Sequence, residues 1–267
     1  MNISIQNDIK VIEMGDKGPN LLSVDRADRI ISELSKKDCK AVILLGNEKV
    51  FSAGLKLKHL QKAKDADEVS LIFKTLRKLL VASREFPGPV ISIVAGHAIA
   101  GGCLLAMASD YRYGIHGFHR MGLNEMAIGI DLPPDMLSII SNTISKNHLF
   151  EVATQCRMYT PTQALEKGLI NEIVGSRFTS KKKASEKALE KAKELAKFYI
   201  NAGEPFVRLK QSLMHDTDFD YQILIDNWFS ADTQEKVNSV MSSLNKKCML
   251  LLQVVQVLLA KRLSHRF

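Results

Sequence analysis

The chain has 267 residues, 46% hydrophobic and 25% charged, with a formal net charge of +8. That is the size of one large domain, or of a domain with an appendage, and the composition of an ordinary soluble globular protein. A modest basic excess suits anionic partners such as phosphorylated cofactors, nucleic acid or acidic lipid, and is equally the mark of a solvated basic surface. Cys39, Cys103, Cys156 and Cys248 are too scattered for metal-ligand spacing, so a reduced intracellular setting is expected rather than a disulfide framework. The opening stretch MNISIQNDIK carries neither a secretory signal nor a transit pattern, and the longest apolar run, Cys248 to Ala260, is too short to span a bilayer.

Residues 3–13 are expected to form one or two edge strands, and LLSVDRADRIISELS at 22–36 has the apolar spacing of a helix. KAVILLG at 40–46 is a short apolar run closed by glycine, the pattern of a buried strand, and NEKVFSAGLKLKHL after it reads as a loop. Residues 66–86 form a helix stopped by FPGP. VISIVAG at 90–96 is a second buried strand, followed by a helix that opens on Gly101-Gly102. YRYG and RMGLNE read as short strands or connections, and MLSIISNTI at 136–144 starts a helix behind Pro133-Pro134. This alternation predicts an α/β class with a mostly parallel sheet. From about residue 178 the pattern changes to SKKKASEKALEKAKELAKFYI, a charged amphipathic helix with its lysines on a solvated face, and everything beyond reads helical. The sequence is therefore divided into an α/β core at 1–195 and a helical C-terminal part at 196–267.

Two strand-to-loop junctions share a design. One leaves a strand and reaches Ala53-Gly54-Leu55; the other leaves a strand and reaches Gly101-Gly102 at a helix start. The first N–H groups of a helix have no intrahelical acceptor, and glycine lets a ligand come close to them. One N–H from each junction could hold a single developing oxyanion. GHAIAGG does not follow the dinucleotide fingerprint, which argues against a Rossmann site.

Taken together and in order, KAVILLGNEKVFSAGLKLKHL, PVISIVAGHAIAGGCLLAMASDYRYG, GLNEMAIGI, TPTQALEKGLINEIV and FSADTQEKVNSVMSSL resemble the crotonase, or enoyl-CoA hydratase/isomerase, superfamily from about residue 10 to about 245. The resemblance implies a ββα spiral core with a helical C-terminal part that assembles trimers or hexamers. It implies an acyl-CoA thioester substrate, with CoA entering as part of the substrate and no separate cofactor, metal or nucleic acid. The implied oxyanion donors are the backbone N–H groups of Leu55 and Gly101. Ala53, Gly54, Lys56, Leu57, Lys58, Gly102 and Asn124 fall on positions that meet the substrate, the lysines beside CoA phosphates.

Hydratases of this superfamily carry two glutamates. The second matches Glu125 in GLNEMAIGI; at the first stands Leu104, which cannot move a proton. A single carboxylate can shift a proton between two carbons of one substrate. The resemblance therefore points to a Δ3,Δ2-enoyl-CoA isomerase with Glu125 as its acid-base, as in fatty-acid β-oxidation. Rival readings are a hydratase-like or dienoyl-CoA isomerase enzyme using Asp131 or Asp135, and a non-catalytic acyl-CoA-binding or scaffold protein. Asp135 is read first as a helix-start acid. His97 and Cys103 are read as packing residues, and Trp228 and Phe229 as core or trimer contacts. The tail CMLLLQVVQVLLAKRLSHRF is expected to be buried in an oligomer interface, with a membrane-surface helix as the runner-up. The expected compartment is intracellular, cytoplasmic or peroxisomal.

Overall fold

The apolar runs that end in Gly46 and Gly96 set the architecture. The computed structural model describes residues 1–214 except 16, 57, 58, 61–64, 130 and 131, together with 231 and 235, and leaves aside the side chains at 128 and 135. The chain opens with an antiparallel pair, β1 (Asn2–Gln6) and β2 (Ile9–Glu13), then helix α1 (Val24–Ser35), capped by the Ser23 side chain. The two glycine-closed runs become β3 (Ala41–Leu45) and β5 (Val90–Val94), register partners in parallel. Val42, Ile43, Leu44, Val90, Ile91 and Ile93 are all buried, so neither strand alternates with polar residues as a half-solvated strand would. With β7 (Tyr111–Ile115) and β9 (Glu172–Val174) they complete a six-stranded sheet in the order β1-β2-β3-β5-β7-β9, parallel from β2 onward.

After β3, β5 and β7 the chain turns into a second sheet. Its three parallel strands are β4 (Val50–Ser52), β6 (His97–Ile99) and β8 (Met121–Gly122). The corners are tight. A Cβ on Gly46 would strike the backbone of Val50 and Phe51, and one on Gly96 the backbone of Lys49 and Val50. Each β-β step is followed by a helix or helical turn: α2 (Ala66–Glu85), α3 (Gly101–Met107) and a one-turn 3₁₀ helix at Glu125–Ile128. This is the ββα spiral. The loop expected at NEKVFS thus contains β4, and the run expected as one strand and a helix contains β6 between them. Strands of two or three residues are too short to show a period of two in sequence.

Helices α4 (Pro134–Thr143), α5 (Lys146–Thr154) and α6 (Pro161–Lys167) follow, the last with a Thr160/Gln163 capping box. Helix α7 (Lys181–Ala202) lays Ala184, Ala188, Ala192 and Ala196 against the outer face of the first sheet, in one apolar cluster with Ile43, Ile91 and Tyr113. Four alanines one turn apart give a smooth stripe that lets the helix approach the sheet closely. The division expected at 195/196 falls inside this helix, and α8 (Glu204–Met214) follows it, its Lys210 ammonium donating to Asp110 Oδ2 at 2.7 Å and to the Gly88 carbonyl at 2.9 Å. Met1–His215 forms one compact unit. The expected trimer contacts at Trp228 and Phe229, and the apolar tail, lie outside the described residues. Among the described residues no helix is long and apolar enough to cross a membrane.

The corner at Gly96 has no room for a methyl group. Gly96→Ala is expected to destabilise the fold by about 2 kcal/mol or more, seen as a lower urea midpoint at unchanged m-value.

Candidate active site

The first junction is fixed from outside. Ser52 Oγ donates to the Asn20 carbonyl at 2.8 Å and accepts from the Gly54 N–H at 3.2 Å. The Ala53 N–H donates to the Pro19 carbonyl at 3.0 Å, and Leu22 N–H to the Gly54 carbonyl at 2.9 Å. Gly54 has φ +75°, and a Cβ there would lie 2.9 Å from the Ile99 carbonyl oxygen and 3.0 Å from the Gly101 nitrogen. The two junctions are therefore in direct contact.

At the second junction α3 begins on Gly101, after Ala100 at φ 52°, ψ −126°. Gly102 does a different job from Gly101: a Cβ on it would strike the Ser52 carbonyl, so its bareness seats the helix on β4. Among the described residues, neither the Leu55 N–H nor the Gly101 N–H has a hydrogen-bond acceptor.

Both N–H-bearing residues line a cavity of about 780 Å³, together with Ala53, Lys56, Asn124 and Glu125. Its remaining wall is mostly apolar, with Phe73, Leu76, Leu104, Leu132 and Met136 prominent. Leu104, the position without an acid, is 1% exposed. Glu125 is 8% exposed and opens the 3₁₀ turn behind β8. It is the one carboxylate among the described lining residues. The Asn124 N–H donates to its Oε2 at 2.9 Å. Burial pushes the Glu125 carboxyl above its ordinary range, partly offset by hydrogen bonds from its own and the Asn124 backbone. An N–H pair, an apolar chamber and one desolvated carboxylate can together take a proton from carbon and hold the resulting oxyanion.

The expected residues Ala53, Leu55, Lys56, Gly101, Asn124 and Glu125 are thus brought together. Gly54 and Gly102 stand behind the wall as packing positions rather than facing the cavity. Leu57, Lys58 and Asp131 lie outside the described residues, as does the side chain of Asp135, whose backbone sits in the first turn of α4. Cys103 is fully buried, and burial raises its thiol well above the ordinary value, which makes it inert. His97 is exposed at the start of β6, accepting the Arg120 N–H at 3.1 Å. Sequence reasoning missed the contribution of α2, which lines the cavity with Phe73, Lys74, Leu76 and Arg77. Its i, i+3 pairs Phe73/Leu76 and Lys74/Arg77 hold the signal, but any amphipathic helix shows the same spacing. Among the described residues no group of three or more His, Cys, Asp or Glu is placed to hold a metal ion.

A ββα spiral carrying two touching glycine junctions at one cavity defines a crotonase fold. Residues 5–245 match the enoyl-CoA hydratase/isomerase family, and the chain belongs to that family. It is 30% identical over 144 residues to the probable enoyl-CoA hydratase echA17 of Mycobacterium avium, covering 53% of this chain and 55% of that protein. It is 28% identical over 172 residues to the mitochondrial enoyl-CoA delta isomerase 1 of Rattus norvegicus, covering 62% and 59%. The chain thus spans little more than half the length of these curated relatives. In fold it is similar to an enoyl-CoA hydratase/carnithine racemase from Magnetospirillum magneticum, with a TM-score of 0.76 at 18% identity over 90% of this chain and 92% of that one. Human enoyl coenzyme A hydratase domain-containing protein 3 is similar at a TM-score of 0.69 and 20% identity, over 91% and 97%.

Ala100 holds a backbone conformation that suits glycine, immediately before the Gly101 N–H. Ala100→Gly is expected to stabilise the protein by about 1 kcal/mol, read as a raised melting temperature, since relief of strain outweighs the added freedom of the unfolded chain.

Proposed function

We propose that the chain is a Δ3,Δ2-enoyl-CoA isomerase, with Glu125 as its single acid-base. The observation that carries this reading is the pairing of one buried carboxylate with a leucine at 104 in the same cavity wall. Glu125 removes a proton from C2 of a 3-enoyl-CoA. The electron pair of that C–H bond moves into a dienolate, whose negative charge reaches the thioester oxygen. There the N–H groups of Leu55 and Gly101 stabilise it, each such donor being worth roughly 3 to 4 kcal/mol. The same carboxyl returns the proton at C4, and the double bond ends between C2 and C3. The Asn124 N–H donates to one carboxylate oxygen at 2.9 Å and helps hold the carboxyl in place. Lys56, Lys74 and Arg77, exposed on the cavity wall, suit the phosphates of CoA.

Similarity to a probable hydratase keeps hydration as the second reading. Hydration needs a water to be positioned and activated, and Leu104 offers it no polar group. The test is conversion of 3-cis- and 3-trans-hexenoyl-CoA to the conjugated 2-enoyl thioester, followed by absorbance, beside crotonyl-CoA hydration. Glu125→Gln is expected to lower kcat by roughly 10²–10⁴-fold. Strong hydration by the unaltered protein would overturn the isomerase reading.

The raised carboxyl gives two further signs. Isomerisation needs the ionised form, so kcat/KM is expected to fall as pH drops through a value above the ordinary glutamate range, and to level off above it. For stability the sign reverses. The native state keeps the Glu125 proton to higher pH than the unfolded chain does, so stability falls as pH rises from the unfolded to the folded pKa. At neutral pH Glu125→Gln is therefore expected to unfold at a higher urea concentration while losing activity.

A further inference from the structure

The parallel strands β7 and β9 end side by side. Ile115 and Val174 are register partners, and the His116 N–H donates to the Val174 carbonyl at 3.1 Å. The loops that follow, HGFHR at 116–120 and GSRFTS at 175–180, leave the same edge of the first sheet. They stay close: a Cβ on Gly117 would lie 3.6 Å from both His119 Nδ1 and Lys181 Cε.

Each loop presents a phenylalanine to solvent, Phe118 at 93% and Phe178 at 84% exposure. Both loops are braced. The Arg120 guanidinium donates to the carbonyls of Phe118 at 3.0 Å and His119 at 3.2 Å. The Phe178 N–H donates to Ser176 Oγ at 3.3 Å, and the Arg177 guanidinium lies 4.7 Å from the Phe178 ring centroid. Two rings this exposed on neighbouring loops give this end of the sheet an apolar contribution that a partner can cover.

The surroundings say what covers it. Arg120, Arg177, Lys181, Lys182 and Lys183 belong to these loops and to the start of α7, with no acid in either stretch. Acids meet the inner side of this cluster: Lys182 shares a cavity wall with Glu13, Glu48 and Glu186, and the Lys181 ammonium donates to the Glu48 carbonyl at 2.6 Å. Neither ring lines the Glu125 cavity or the cavity beside Lys182; both protrude into solvent. Protruding aromatic rings ringed by lysine and arginine match the depth and charge of an anionic headgroup layer. We propose that loops 116–120 and 175–180, with the start of α7, dock the protein on anionic phospholipid membranes, the two phenylalanines entering the headgroup region and the cations meeting lipid phosphates.

The geometry leaves the cavity clear. Strands β6 and β8 begin beside this surface, at His97 and next to Arg120, and run toward Ile99 and Gly122, where the cavity wall starts. Docking and the proposed reaction are therefore independent, and each can be tested without the other.

The experiment is flotation of the full chain with phosphatidylcholine vesicles, with and without phosphatidylserine. Binding is expected only with phosphatidylserine, and weaker in high salt. The Phe118→Ser/Phe178→Ser and Lys182→Glu/Lys183→Glu variants are each expected to bind about tenfold more weakly, or worse, at unchanged melting temperature. Glu125→Gln is expected to bind as the unaltered protein does. The proposal is overturned by absence of binding, by equal binding to neutral vesicles, or by equal binding of the variants. It is also overturned if the phenylalanine variant instead breaks self-association in sedimentation, which would make the partner a second copy of this chain.

Discussion

Everything at the cavity depends on the contact between the two glycine junctions. Gly102 can rest on the Ser52 carbonyl only because it has no side chain, and Gly54 can rest against Ile99 and Gly101 for the same reason. That contact sets the distance between β4 and the start of α3. It thereby places two N–H groups, one from Leu55 and one from Gly101, on a single wall. The hydrogen bonds of Ser52, Ala53 and Gly54 to the segment at residues 19–22 hold one side of the contact, and the strained Ala100 turn holds the other. Main-chain donors fixed this way need no reorganisation when charge develops beside them.

Against this rigid frame Glu125 stands out by what surrounds it. Among the described residues the other deeply buried charges meet an opposite charge or backbone carbonyls. Lys10 meets Glu33 Oε2 at 3.0 Å and Asp38 Oδ1 at 2.7 Å; Asp110 meets Lys210 at 2.7 Å. Arg112 spends its guanidinium on the carbonyls of Ser109 and Leu169. Among the described residues Glu125 has backbone N–H bonds but no cation paired with it, and it faces a mostly apolar chamber. A carboxylate desolvated without a counter-charge costs the fold stability, and such groups gather where proton transfer is done. Buried pairs such as Lys10 with Glu33 and Asp38 tie β2 to the end of α1 and ask for no chemistry.

Much of this was legible in the chain itself. The central strands announced themselves because burial on both faces removes polar residues, and α1 and α2 because a half-buried helix must repeat its apolar positions. Motif resemblance singled out Glu125, Leu55 and Gly101, which line one cavity, because it records the spacing that the spiral imposes on distant segments. The second sheet was not legible, because β4, β6 and β8 span three residues or fewer and their partners are remote in sequence. The cavity wall from α2 was not legible either: Phe73 and Arg77 obey a periodicity that serves packing and binding alike.

The sequence by itself determined the class of fold, the long helices and the central strands of the first sheet, since these follow from local pattern, and it singled out Glu125 as the candidate acid by motif resemblance. Only the tertiary structure decided which glycine meets the cavity and which meets Ser52, which carboxylate lacks a counter-charge, and that Phe118 and Phe178 leave one sheet edge together. Those are distances between residues far apart along the chain. They exist only once the ββα turns have closed on one another.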